Sequence, residues 1–114
     1  MLTKKHRLSK KGIEKVKSSG RYFHTPFFTI AYLSGQKTSS QFAFVISKRV
    51  SKKATIRNKT KRLIAGSVRQ LIIDLKDGYW VVFLVKPAAL EQDKQVLAWE
   101  IEKSFEQINL LDKK

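Results

Sequence analysis

The spacing of apolar positions changes repeatedly along the chain, and each change marks an element. Ser9 followed by KKGIEKVKSSG reads as a short helix. Ser9 suits the N-cap, Leu8 and Ile13 stand where a hydrophobic staple would close, and Gly20 suits the C-terminal cap. Only Ile13 and Val16 mark its inner face. The run RYFHTPFFTIAYLSG, from Arg21 to Gly35, is aromatic and β-branched and predicts one long edge-like strand with a bend or bulge at Pro26. Gly35 to Ser40 is polar and turn-like, so Gln41 to Ser47 is expected to return as its antiparallel hairpin partner.

From about Lys53 to Leu75 the period becomes helical, with Ile56, Thr60, Leu63, Ile64, Ser67, Val68, Leu71 and Leu75 on one broad stripe. Asn58, Arg62 and Arg69 project together on a different face, and Arg57 and Lys61 sit on the border. Gly66 inside this helix costs about 1 kcal/mol relative to alanine. Asp77-Gly78 makes a turn, and the almost continuous apolar run from Tyr79 to Lys86 predicts a central strand covered on both faces, stopped by Pro87. Asp93 can cap a last helix from Lys94 to about Ile108, with Leu97, Ile101, Phe105 and Ile108 inward. The order α-β-β-α-β-α predicts an α+β fold, a small two-layer sandwich. A chain of 114 residues has room for one domain, spanning 1–114 with 109–114 expected as a flexible tail.

Composition narrows the function. Hydrophobic residues at 42% and aromatics at 11% supply a core, which excludes a disordered basic tail protein. Lysine and arginine number 24 against 9 acids, and the resulting +15 calls for a polyanion, of which nucleic acid is the commonest. The charge is unevenly placed. Residues 1–24 hold eight Lys/Arg and the single acid Glu14, and residues 47–70 hold nine Lys/Arg and no acid. Most of the acids lie beyond residue 70. Absence of cysteine excludes a disulfide scaffold, thiolate metal sites and a thiolate nucleophile. The amino terminus has no apolar region of signal-peptide length, and no stretch approaches the roughly 18 apolar residues of a membrane span, so a cytoplasmic protein without membrane contact is expected.

A metal-dependent nuclease needs carboxylates converging beside its basic surface, and here the basic segments offer only Glu14. No catalytic residue and no protein-held metal are therefore expected. His6 and His24 are the one pair that could act as a metal-free acid and base on RNA, although surface contact is the commoner role for such histidines. The informative segment is Ser47 to Arg62, which joins a strand end to a helix start. Its eight cations, Lys48, Arg49, Lys52, Lys53, Arg57, Lys59, Lys61 and Arg62, repel one another with no acid to relieve them, which makes sense if phosphates supply the missing charge. With Asn58 and Arg69 they form the candidate RNA-binding set.

These residues resemble the protein component of bacterial ribonuclease P. The family's hallmark is a strand ending in a basic Ser/Ala-Lys-Lys-like sequence, a basic turn, and a helix carrying Arg-Asn-Arg-x-x-Lys-Arg or close to it. This chain has Ser47-Lys48-Arg49, then Lys52-Lys53-Ala54, then Arg57-Asn58-Lys59-Thr60-Lys61-Arg62-Leu63. The opening Lys5-His6-Arg7-Leu8, Gly20, and Val81-Val82 followed by Lys86-Pro87 are also similar. Three departures stand out. Lys59 replaces the third arginine, Ala65-Gly66 replaces large polar or charged residues, and Ile13 and the region of Lys17 lack the aromatics the family places there.

The resemblance implies a ribosomal protein S5 domain 2-like fold, with a mixed sheet of about four strands and a left-handed crossover around the basic helix, against the usual handedness. It also implies a subunit of a ribonucleoprotein endonuclease, a hydrolase that removes the 5′ leader of precursor tRNA. The RNA subunit and its Mg²⁺ would perform the hydrolysis, and the protein, monomeric alone, would pair with that RNA through the basic helix. A cleft between the first helix and the sheet would hold the leader, with Arg7, Lys10, Ile13, Lys17, Phe28, Tyr32 and Phe44 as its expected lining and Phe23 and Phe42 as further ring candidates. Two other readings stay open: a ribosomal or other structural RNA-binding protein, and a self-sufficient ribonuclease using His6 and His24.

Overall fold

The computed structural model describes residues 2–111. Helix α1 (Lys10–Ser19) begins where the Gly12 N–H donates to the Ser9 hydroxyl at 3.1 Å, the expected N-cap. Gly20 ends it in extended backbone (φ −80°, ψ 170°), so its glycine is not required for a left-handed cap. A Cβ there would collide with the Val16 carbonyl oxygen of the helix and stand 2.8 Å from that of Tyr32 on the sheet, and this double crowding explains the glycine.

The stretch expected as one long strand is two, β1 (Arg21–His24) and β2 (Phe28–Leu33), paired antiparallel as a hairpin. Thr25 is responsible. Its hydroxyl accepts from the N–H groups of Phe27 and Phe28 at 3.2 and 3.0 Å, while its own N–H donates to the Phe28 carbonyl at 2.9 Å. A threonine-closed turn with Pro26 inside it reverses the chain where a bulge would only have bent it.

Strand β3 (Gln41–Val45) is not the hairpin partner of β2. Both edges of β2 are taken, one by β1 and one by β4 (Trp80–Val85), and the sheet order is β1-β2-β4-β3. β3 lies parallel to β4 in the register Gln41↔Trp80 to Val45↔Leu84, and α2 (Ala54–Leu71) makes the connection between them. β4 is thus the central strand that its apolar run predicted.

Alternation along the strands sends two sets of side chains to opposite faces. Phe28, Ile30, Phe42, Val81, Phe83 and Val85 pack against Ile64 and Val68 of α2 and Leu97, Ile101 and Phe105 of α3 (Lys94–Gln107). Asp93 caps α3, accepting from the Val96 N–H at 3.0 Å. Ala31, Ala43 and Val82 face the other way, under Leu8 and Val16. The sandwich of sheet on α2 and α3 therefore carries α1 on its second face.

Helix α2 stops at Leu71, four residues before the expected end, and a 3₁₀ turn Ile72–Asp74 follows. Ile56, on the edge of the apolar stripe, is 37% exposed. Residues 109–111, expected to belong to a flexible tail, are packed instead: Leu110 is fully buried and Leu111 bridges Leu75. The rest of that tail, 112–114, lies outside the described residues. No helix among the described residues is long and apolar enough to cross a membrane.

Nothing lies within 4 Å of a Cβ built on Gly66. Gly66→Ala is therefore expected to raise stability by about 0.5–1 kcal/mol, read as a higher thermal midpoint of the free protein. A lower midpoint would mean that the helix needs glycine there.

Candidate nucleic-acid interface

Beyond Val45 the chain buries Ile46 and then turns, with the Val50 N–H donating to the Ser47 carbonyl at 3.1 Å. Arg57 reaches back from α2 and donates from Nη1 to the Ser51 carbonyl at 2.8 Å, tying the basic turn to the helix. Lys53 occupies the N-cap position without a side-chain cap, so the first-turn N–H groups point outward among cations. The inner face of α2 is anchored by Thr60, Ile64, Ala65, Ser67 and Val68, and its two buried hydroxyls are satisfied by the carbonyls of Ile56 and Leu63. That anchoring turns the remaining residues outward. Lys48, Arg49, Lys52, Lys53, Asn58, Lys59, Arg62 and Arg69 are exposed, and Arg57 and Lys61 are half-buried on the border, as the periodicity required.

The amino-terminal basic segment meets this surface at the outer edge of β3. Arg7 bridges Phe42 in parallel register, and the Leu8 N–H donates to the Phe42 carbonyl at 3.0 Å. Arg7 and Lys61 line a common cavity of about 190 Å³ with Leu8, Phe42 and Phe44. Arg7 therefore joins the α2 surface rather than the cleft expected for it.

From this edge α1 crosses the second face of the sheet toward β1. It covers the row Ala31, Val82 and Ala43 and leaves the next row open, His24↔Thr29↔Leu84↔Val45 in register across all four strands. Of that row His24 is exposed, and Thr29, Leu84 and Val45 are half-buried. Lys15 stands over the Trp80 ring at 5.5 Å on one flank of α1. At about 100° per residue, Lys10, Ile13 and Lys17 fall on the opposite flank, beside the open row. Helix and row form a groove whose β3 end continues into the basic turn.

Besides Arg7, three of the residues expected in that groove are elsewhere. Phe28 is fully buried, and Tyr32 and Phe44 pack on the α2/α3 face, as do Phe23 and Phe42. These rings were expected in the cleft from the resemblance, and alternation along each strand sends them instead to the larger core. Tyr22, His24, Thr29, Leu84 and Val45 were missed. The sequence signal for them is alternation: they stand one position out of step with the core-facing Phe23, Phe28, Phe83 and Phe44.

His6 and His24 are not brought together. His6 Nδ1 contacts the Ser40 carbonyl oxygen at 2.8 Å beside β3, and His24 Nδ1 lies 3.1 Å from the Thr29 hydroxyl on β1, at the far edge of the sheet. Three strand spacings, about 14 Å, separate these edges, too far for concerted proton transfer at one phosphate. Among the described residues no three His, Cys, Asp or Glu side chains converge.

The family model described as Ribonuclease P matches residues 2–109. The chain belongs to the ribonuclease P protein family. The ribonuclease P protein component of Microcystis aeruginosa is 28% identical over 111 residues, covering 93% of this chain and 92% of that protein. That of Caldanaerobacter subterraneus is 30% identical, covering 89% and 86%. Two solved ribonuclease P proteins share the fold. The one from Thermotoga maritima has a TM-score of 0.80 at 17% identity, covering 90% of this chain and 96% of its own. One from Staphylococcus aureus has a TM-score of 0.83 at 12% identity, covering 96% and 100%. In this member of the family the flank of α1 beside the groove carries Ile13 and Lys17, neither of them a ring.

Proposed function

We propose that this chain is the protein subunit of a ribonuclease P holoenzyme, binding the catalytic RNA with the turn and outer face of α2 and the single-stranded 5′ leader of precursor tRNA in the groove beside α1. The observation that carries the reading is the acid-free surface of Lys48, Arg49, Lys52, Lys53, Arg57, Asn58, Lys59, Lys61, Arg62 and Arg69, which runs on into one end of that groove. Backbone phosphates fit such a surface, because each cation can release a condensed counterion and the planar arginine forks can grip phosphate oxygens in pairs. The groove, with Lys10 and Lys17 above an uncharged floor, suits a single strand.

Hydrolysis is assigned to the RNA subunit and the Mg²⁺ ions it holds. The basic segments contain the single acid Glu14, and among the described residues no three His, Cys, Asp or Glu side chains converge, so a protein-held metal beside the scissile phosphate finds no support. The chain's own part is to neutralise phosphates and to orient the leader. Protein added to a catalytic ribonuclease P RNA at low Mg²⁺ should stimulate leader removal severalfold, and the protein alone should cleave nothing. No stimulation would sink the assignment in favour of a structural RNA-binding protein. Cleavage by the protein alone, lost in a His6→Ala/His24→Ala variant, would favour a self-sufficient ribonuclease.

A further inference from the structure

We propose that the rings of Tyr22 and His24 on β1 are the base-stacking site of this groove, taking an unpaired nucleobase of the strand bound there; the inference rests on the leader-groove reading above. Single-stranded nucleic acid is held chiefly by backbone charge and by bases stacked on rings. The α1 flank of the groove offers Ile13 and Lys17, and its floor offers Thr29, Leu84 and Val45, so none of these supplies a ring. Trp80 lies on the other flank of α1, held by Lys15 above it and by its Nε1–H donating to the Thr38 hydroxyl at 3.0 Å. The phenylalanines of the strands all pack on the α2/α3 face.

Tyr22 and His24 are what remains. They stand two residues apart on β1 and point to the groove side, in register with Ala31 and Thr29. Their rings are nearly parallel, with centroids 6.5 Å apart and 19° between planes. Tyr22 is 45% exposed, and its O–H donates to the Lys17 carbonyl at 2.6 Å, which fixes the ring across the end of α1. The His24 ring is held by its 3.1 Å contact with the Thr29 hydroxyl. Exposed rings that are already oriented lose little freedom when a base settles on them. Their place is the end of the groove remote from the basic turn, so a strand entering beside Lys48 and Arg49 meets them only after crossing the sheet.

The test uses reconstituted holoenzyme and precursor tRNAs whose leaders lengthen one nucleotide at a time, with mature tRNA in parallel. Wild-type protein should show a step in affinity once the leader reaches the rings. Tyr22→Ala/His24→Ala should abolish that step, weakening the long-leader precursor about tenfold, while mature tRNA binds as before. Tyr22→Phe, which keeps the ring, should retain the step. A 2-aminopurine base at the position of the step should be quenched with wild type and bright with the double variant. A double variant that keeps both step and quenching overturns the proposal, as does an equal loss of affinity for mature tRNA. If wild type shows no leader-dependent gain, the groove reading itself fails and the ring assignment falls with it.

Discussion

Replacing Arg57 and Arg62 together by alanine is expected to weaken binding of the catalytic RNA by roughly two orders of magnitude or more and to lower the salt slope of binding by about 1.4–1.8. A hydrogen bond to a charged group contributes about 1.5–3 kcal/mol, so two lost clamps reach this range. The slope follows from counterion release of about 0.7–0.9 per phosphate neutralised. The two arginines are not equivalent. Arg62 is exposed on the outer face of α2, so Arg62→Ala removes charge with a stability change expected within about 0.5 kcal/mol. Arg57 also holds the basic turn through Ser51, so its loss loosens the loop that presents Lys52 and Lys53. Arg62→Lys separates charge from geometry: it should keep the slope yet weaken binding, because an ammonium cannot grip two phosphate oxygens as a planar fork does. Binding titrations over a range of salt check all three variants. An unchanged slope in the double variant would remove α2 from the RNA interface.

The basic surface was legible in the sequence because helical periodicity and charge agree there. Thr60, Ile64 and Val68 fix which side is inner, and every cation then falls outside or on the border. The capped ends of α1 and α3 were legible for a similar reason, since Ser9 and Asp93 act within one turn of their own position. What depended on distant partners was not. Nothing local says that Thr25 closes a hairpin, or that β3 must pass over to the far edge because both sides of β2 are occupied. The groove residues were hidden for another reason: Phe28, Tyr32 and Phe44 were expected there as rings, whereas alternation along each strand turns them to the core and Tyr22 and His24 to the groove, since a shift of one residue along a strand exchanges its faces. The packing of Leu110 and Leu111 was hidden likewise, because Leu75, which bridges Leu111, was expected to be helical.

Phe83→Ala is expected to cost about 3–5 kcal/mol, a third or more of the stability of a domain of this size. Phe83 is fully buried on the central strand, paired in register with Ile30 on one side and Phe44 on the other. Its ring meets Phe28 edge-on at 5.3 Å, Phe44 at 5.3 Å and Phe105 at 5.9 Å, joining β2, β3 and β4 to α3. No neighbour can collapse into the space without abandoning its own contacts, so the cavity persists and the full cost is felt. The thermal midpoint should fall by roughly 10–25 °C. Phe44→Ala, at a half-buried position, should cost less than half as much. The functional consequence follows from the architecture: the same sheet carries α2 on one face and the groove on the other, so loosening its centre weakens both surfaces together. To the extent that the catalytic RNA prefers the folded chain, saturating RNA should restore part of the lost midpoint, at most about 2.7 kcal/mol at a hundred times the dissociation constant. Unfolding followed with and without RNA tests this. A free variant within about 1 kcal/mol of wild type would show that the two faces are held in place by something other than the ring cluster around Phe83.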